Sequence, residues 1–515
     1  MATVIPPPSK RVKTAAAARA REQVSPPREA PEGLQRIQFR DADTGALQGP
    51  VVTVSLADLS PKNLSLLLNT LLGQTKPDER LPYRFYNPLQ DGSGEFDADA
   101  IIKAYVNGDI TTETLLNIPT RAEAVFRVKA VTRCSASIAG HGSSILATSF
   151  SPASSSRLAT GSGDNTARIW DCETGTPMYT LKGHTGWVLA VAWSPDEKSL
   201  ATGSMDNTVR LWDPTTGKPL GNPFKGHTKW ITSIAWEPYH LRQPGRPRLA
   251  SASRDYTIRI WDAVGGHTDF SLTGHKGSVT CLRWGGQGDG VIYTASHDKT
   301  IKIWDPTKGT LLNTLSAHAH WVNHLALSTD HVIRTGYFDH KGRKDVPADA
   351  DAKRKKAKER YLAALKPAGG IERLVSASDD CTMYLWAPSS STKPLQRMFG
   401  HQKQVNHVAF SPDGTLIASA GFDNHVKLWQ AQDGKYLSTL RGHVGAVYQC
   451  AFSPDSRLLV SCSKDTTLKA WDVRSATLKE NLPGHQDEVF AVDWSPDGDR
   501  VGSGGQDKAV RIWRH

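Results

Sequence analysis

The stretch GSMDNTVRLWD (Gly203–Asp213) closes a short module that also contains His184 and Thr202. A histidine, a hydroxyl and a carboxylate in one module have the composition of a hydrolytic triad, so a single reading of this stretch suggests an active site. Its final run says otherwise. The pattern V-R/K-I/L-W recurs along the chain with its tryptophan at 170, 212, 261, 304, 386, 429, 471 and 513, spaced 42, 49, 43, 82, 43, 42 and 42. A period in this range marks a repeat architecture, and it decides the fold before any local structure does.

Each of the eight units reads as four short strands: an apolar run (VLAVAWSP), a second (SLATGS), a tight turn (MDN), a third (TVRLWD) and a fourth such as PLGNPFK. Alternation over 4–8 residues between Gly, Asp, Asn and Pro is the strand-and-turn signature. Four strands per unit make a propeller blade, and eight blades close a ring. The last unit stops at Arg511-Ile512-Trp513-Arg514-His515, after its third strand. The missing outer strand is expected to come from AVFRVKAV, residues 124–131, which would remove two open sheet edges at once.

In register, every unit carries a histidine (141, 184, 227, 275, 318, 401, 443, 485), a hydroxyl (160, 202, 251, 294, 376, 419, 461, 503), an aspartate (164, 206, 255, 298, 380, 423, 465, 507) and the tryptophan. Eight equivalent sets on a ring cannot each be a catalytic centre. They read as buried relays, such as His184, Thr202, Asp206 and Trp212, or His227, Ser251, Asp255 and Trp261, in which every polar atom finds a partner. GH…S/T…D…WD at this spacing resembles the WD-repeat family, with ordinary departures at Ala317-His318 and after Trp386, Trp429 and Trp513.

Composition narrows the rest. No apolar run reaches the roughly 18–20 residues of a bilayer span, and the N-terminus lacks a secretory core, so a soluble intracellular protein with no membrane partner is expected. Six scattered cysteines have no zinc spacing and read as small buried residues in a reducing compartment. The net charge is +11. Residues 1–34 contribute +3 and residues 341–366 contribute +6, so contact with a polyanion should concentrate there.

Before the ring, IQFR and VVTVSL suggest a hairpin. SPKNLSLLLNTLLG suggests a helix capped by Ser60, with Pro61 in its first turn and Gly73 at its end. YRFYN, AIIKAYV and AVFRVK complete a β-β-α-β-…-β order similar to a ubiquitin-like β-grasp domain over residues 35–123. The fold expected is therefore mostly β: a disordered basic tail over 1–34, the ubiquitin-like domain, and an eight-bladed WD-repeat propeller over 124–515. The PPPSKRVK tail suits a nuclear-import signal.

That domain order, with AVFRVKAVTRC (124–134), VTCLRWGG (279–286), HWVNHLALSTDHVIRTG (320–336), LRGHVGAVYQ (440–449) and LPGHQDEVFAVDWSPDG (482–498), resembles the Notchless family. The resemblance implies a non-catalytic assembly factor for the large ribosomal subunit, in the nucleolus and nucleoplasm. It implies a ubiquitin-like domain that offers a carboxylate to the metal-ion-dependent adhesion site of midasin, an AAA-type ATPase. The matching residue is Glu113 in DITTETLLNIP, with Thr111, Thr112 and Thr114 shaping the loop and Glu123 and Asp109 as alternatives. A hard Mg²⁺ ion with an open position favours such an oxygen ligand. The ion belongs to the partner, and the chain, expected as a monomer, needs no cofactor or metal of its own.

Two further surfaces stand out. Trp187, Trp230 and Trp321 lie three residues after a blade histidine, and Arg254, His297, Phe422 and Lys464 lie just before a blade aspartate; both positions open on one face of the ring. Exposed aromatics beside arginine suit a partner-binding face, and packing against adjacent loops is the other reading. A basic insertion over about 339–370 carries Lys353, Arg354, Lys355, Lys356, Lys358 and Arg360, on a helix expected from about 349 to 365. It suits rRNA phosphates, or else is a solvated, partly disordered loop. Trp471-Asp472-Val473-Arg474 matches the WDxR box of substrate receptors of cullin-type ubiquitin ligases, and the family name suggests a signalling adaptor. No phosphate loop, zinc cluster or nucleophile elbow supports an enzyme.

Overall fold

Strand β1 (Leu34–Asp41) alternates strictly, with Gln35, Ile37 and Phe39 on its buried face. It pairs antiparallel with β2 (Val52–Ser55) and parallel with β4 (Leu115–Ala122), which pairs antiparallel with β3 (Tyr83–Phe85). The sheet order β2-β1-β4-β3 is that of a β-grasp fold. Helix α1 (Pro61–Leu71) starts where expected: the Asn63 N–H donates to Ser60 Oγ at 3.3 Å, and Pro61 occupies the first turn. Leu64 and Leu68 of α1 and Ile101 of α2 (Ala98–Val106) complete one core with Ile37, Phe39 and Ile118.

The computed structural model describes residues 33–42, 45–73, 83–88, 96–122 and 126–515; residues 1–32 of the basic tail and Glu123 lie outside them, and Leu34, expected in the tail, opens β1. The chain divides into units 1–126 and 127–515, close to the expected boundary. No described helix is long and apolar enough to cross a membrane.

The second unit holds eight sheets. The innermost strand of each, such as Val188–Trp193 and Ile231–Trp236, packs against that of the next, and Val489–Trp494 packs against Ile145–Phe150 to close the ring. Seven sheets have four strands and the second has three. There PLGNPFK makes only single bridges, Trp212 to Pro219 and Val209 to Phe224, in place of the expected strand. Pro219 and Pro223 have no N–H to give a ladder.

The ring closes through a different strand from the one expected. The eighth sheet is completed by β5 (Arg133–Ala139), which pairs antiparallel with Ala509–Arg514 in the register Cys134 to Trp513. Residues 126–132 form no strand. Val128 and Val131 are buried, which accounts for the apolar alternation, but the Val128 N–H donates to the Asp455 carboxylate at 2.7 Å and is lost to any ladder.

All eight relays form. The indole N–H donates to the hydroxyl at 2.7–3.0 Å. The hydroxyl meets histidine Nε2 at 2.7–2.9 Å. Nδ1–H then donates to the aspartate at 2.7–3.0 Å. Burial raises the carboxyl of Asp206, but hydrogen bonds from His184, Thr208 and the Thr185 N–H outweigh it and hold the group well below the usual range. Asp164 and Asp423 are likewise drawn down to about 2.

The residue after each relay aspartate takes a left-handed backbone, with φ between 63 and 73°. Asn165, Asn207 and Asn424 suit that region, whereas Thr466 is β-branched and strained at φ 69°. Thr466→Asn should therefore raise stability by about 1 kcal/mol, read from the denaturant midpoint. An unchanged or lower midpoint would refute it.

Candidate functional site

Three regions can meet a partner. In the first unit, Thr111-Thr112-Glu113-Thr114 forms a turn leading into β4. The Thr114 N–H donates to the Thr111 carbonyl at 3.0 Å, and the Thr111 N–H donates to Thr114 Oγ1 at 3.1 Å. Glu113 stands exposed on this turn, and no described residue pairs with its carboxylate. Asp109 is also exposed, one residue before the buried Ile110. An unpaired carboxylate on a hydrogen-bonded turn can complete the coordination of a hard divalent ion held elsewhere.

On the ring, each blade joins the two positions picked out from the sequence. The carbonyl three residues after the histidine accepts from the N–H just before the relay aspartate: Trp187 from Met205, Trp230 from Arg254 and Trp321 from Asp379, with the other five blades alike. Trp187 is 48 %, Trp230 39 % and Trp321 44 % exposed, so the tryptophans rim the face without being covered by it. The Arg254 guanidinium lies 4.8 Å from the Trp230 ring centre, and His297 stacks on Trp321 at 4.3 Å. Burial, with a smaller contribution from the positive Arg254, keeps His297 below its ordinary value, hence neutral at pH 7. Phe422 meets Tyr448 edge-on at 5.8 Å. Lys464 pairs with Glu488 at 3.3 Å, and the Tyr448 hydroxyl donates to the same carboxylate at 2.7 Å. Tyr448 has no signature in the sequence because it sits two positions beyond the Trp187 register, which Ala446 fills in this blade, inside the innermost strand Val447–Phe452.

The third region lies at the other end of the innermost strands. The insertion in blade five begins with α3 (Asp330–Thr335), a helix of six residues too short to leave a periodic signature, and continues to α4 (Ala350–Leu365). Ala357, Tyr361 and Leu365, four residues apart, are buried on one face. The insertion crosses the ring: Arg334 donates to Asp493 of blade eight at 2.7 Å, and Arg343 to Glu197 of blade two at 2.8 Å. It is not a solvated loop.

Docking uses much of its charge. Arg360 donates to the Gly336 carbonyl at 2.6 Å and to Thr335 Oγ1, and burial lowers its guanidinium to about 10, so it stays charged. Lys356 pairs with Asp339 at 3.1 Å, Arg354 with Asp351 at 3.2 Å, and Lys353 lies over Tyr337. Of the six basic residues expected to meet rRNA, Lys355 and Lys358 are the exposed ones.

Between the two faces the channel holds a cavity of about 360 Å³, lined by Arg283, His324, Asp330, His331, Arg334, His407 and Asp493 among aromatic walls. Burial, aided by Arg283 for His407 and by Arg360 and Arg334 for His331, lowers both histidines to about 3, and His324 lies well below its ordinary value. A histidine with a depressed folded pKa adds stability above about 6.5 that is lost as pH falls towards 3. Each should contribute at most about 2 kcal/mol of loss by pH 5. The melting temperature should fall between pH 7 and pH 5, and less steeply in His331→Gln. Equal slopes would show that His331 does not titrate on unfolding.

The WDxR match places Arg474 exposed in a turn, with its N–H donating to Asp472. Among the described residues the one group able to gather three metal-ligating atoms is Asp262, His267 and Asp269, where Arg246 already neutralises both carboxylates.

Comparison with known proteins agrees with this architecture. The family model described as WD domain, G-beta repeat matches residues 132–171, 175–213, 217–262, 266–305, 392–430, 434–472 and 476–514, seven of the eight blades, passing over the one that carries the insertion. The chain is 53 % identical over 451 residues to Ribosome assembly protein 4 of Saccharomyces cerevisiae and 54 % identical to that of Chaetomium thermophilum, with 85 % of each chain covered. It is 45 % identical to Protein Notchless of Drosophila melanogaster over 73 % of this chain and 74 % of that one. The crystal structure of the computationally designed Ika8 protein matches with a TM-score of 0.57 at 26 % identity, covering 74 % of this chain and all of that one. With its β-grasp unit, its eight blades and these relatives, the chain belongs to the WD-repeat proteins and, within them, to the family of Notchless and Ribosome assembly protein 4.

Proposed function

We propose that the chain is a non-catalytic assembly factor for the large ribosomal subunit, working in the nucleolus and nucleoplasm. The observation that carries this reading is the identity to Ribosome assembly protein 4 over 85 % of both chains. The ring docks on the pre-ribosomal particle through its aromatic face, and Lys355 and Lys358 of α4 meet rRNA phosphate. The β-grasp unit offers Glu113 to the Mg²⁺ of midasin, whose ATP hydrolysis drives the remodelling. The exposed, unpaired carboxylate and the relays that stiffen every blade support a part that is gripped and pulled.

The test is Glu113→Ala in the full chain, followed by gradient sedimentation and by binding to midasin's adhesion domain with Mg²⁺ or EDTA. Wild type should travel with large-subunit precursors and bind only with Mg²⁺. The variant should still join the particle, fail to leave it, and bind at least about 100-fold more weakly, as expected on removing a metal-ligand carboxylate. Mg²⁺-dependent binding by the variant at wild-type strength would remove Glu113 from this role. A wild-type chain that never travels with precursors would remove the assembly role.

A further inference from the structure

Gln35 is polar where β1 needs an apolar residue. It shares the core face with Ile37 and Phe39 and is 0 % exposed. Its amide Nε2 donates to the Thr114 carbonyl at 2.5 Å, whereas Oε1 has no hydrogen-bond partner among the described residues. A buried amide with only its donor satisfied is a net cost to the fold, since a buried acceptor left unpaired loses about 1–3 kcal/mol. The carbonyl it holds ends the turn bearing Glu113, and the next residue, Leu115, is in register with Arg36 of β1.

The turn is thus fixed from two sides. Thr114 Oγ1 lies 3.0 Å from Thr111 Oγ1 and accepts the Thr111 N–H, tying its near end; Gln35 ties its far end to the sheet. Glu113 lies between these ties and is exposed. A carboxylate that must reach a metal ion fixed in another protein loses affinity if its backbone has to be ordered on binding, and groups that orient a ligand without touching the metal commonly change affinity 10–100-fold.

We infer that Gln35 is the positioning residue for the Glu113 turn, with Thr114 Oγ1 as its second support, so that the amide is retained in the core for binding and not for stability. This rests on the reading of Glu113 as the ligand offered to midasin's Mg²⁺.

The experiment uses the full chain and midasin's Mg²⁺-loaded adhesion domain, with the melting temperature of each variant measured alongside. Gln35→Met removes the tie and the orphaned oxygen together. It should weaken Mg²⁺-dependent binding about 10-fold while the first unit melts no lower than wild type. Thr114→Val should weaken binding to a similar extent, and Thr114→Ser, which keeps the hydroxyl, should restore it. If Glu113→Ala loses binding but Gln35→Met and Thr114→Val bind as wild type, this inference is overturned and the reading of Glu113 stands. If Glu113→Ala binds as wild type, both are overturned. A Gln35→Met variant that binds weakly only in proportion to a lowered melting temperature would make Gln35 structural and overturn the inference as well.

Discussion

An Ile138→Asp variant is expected to melt on the order of 10 °C below wild type and to aggregate as it does so. Ile138 lies in β5, is 7 % exposed, and packs with Ile145, Phe150, Leu158 and Trp170 of blade one and Val510 and Ile512 of blade eight. A carboxylate there is placed among apolar side chains, a burial that costs about 4 kcal/mol or forces the strand out. Either outcome exposes the edge of Ala509–Arg514, which otherwise has its ladder filled from Arg133 to Ala139. Lys129→Asp, in the exposed part of the preceding segment, should melt as wild type does. Differential scanning calorimetry with light scattering separates the two. Equal melting of both variants would mean that β5 does not hold the ring shut.

Glu372→Ala is expected to free the basic helix α4 from the ring. Glu372 is 1 % exposed, and burial raises its carboxyl above the ordinary value. It accepts from Thr329 Oγ1 at 2.5 Å, the Gly286 N–H at 3.3 Å, the Tyr361 hydroxyl of α4 at 3.3 Å and the Tyr293 hydroxyl at 3.4 Å. Alanine leaves four buried donors without an acceptor, about 3 kcal/mol or more of local destabilisation. Trypsin cuts a helix only when it opens, so cleavage within residues 353–360 should accelerate about 100-fold while the blades stay intact. Glu372→Gln keeps one acceptor, and the hydroxyls can turn to accept from its amide, so its cleavage should stay near wild type. Tryptic mapping by mass spectrometry reads this directly. Unchanged cleavage in Glu372→Ala would show that Ala357 and Leu365 suffice to hold the helix.

The contrast between β5 and residues 124–131 shows what a sequence carries. The relays were legible because each is repeated eight times at one spacing, and α1 because Ser60, Pro61 and Gly73 mark its ends. RCSASIA has one large apolar residue and no alternation that stands out, while AVFRVKAV alternates well. What distinguishes them is the partner strand, and Cys134 opposite Trp513 pairs residues from the two ends of the ring's sequence. The charges of α4 present the same difficulty. The helix is visible in the sequence, but the engagement of Lys356, Arg354, Arg360 and Lys353 by Asp339, Asp351, Gly336 and Tyr337 depends on how the insertion folds back. Glu113 is singled out only by family likeness, because an acid in a polar turn has no local signature, and Gln35 has none either, as a glutamine in a strand.

The pairing of β5 with the chain's last strand also sets an order of events during synthesis. Ser135 donates its hydroxyl to the Ile512 carbonyl, 377 residues later in the chain. At about 5–20 residues per second, a newly made β5 waits roughly 20–75 s for its partner to be translated. Seven blades can form in that time, each with its own core, but the first and last sheet edges stay open until the C-terminus has left the exit tunnel. The nascent chain therefore carries two unpaired strand edges, the kind of surface that pairs with other chains, through most of its synthesis.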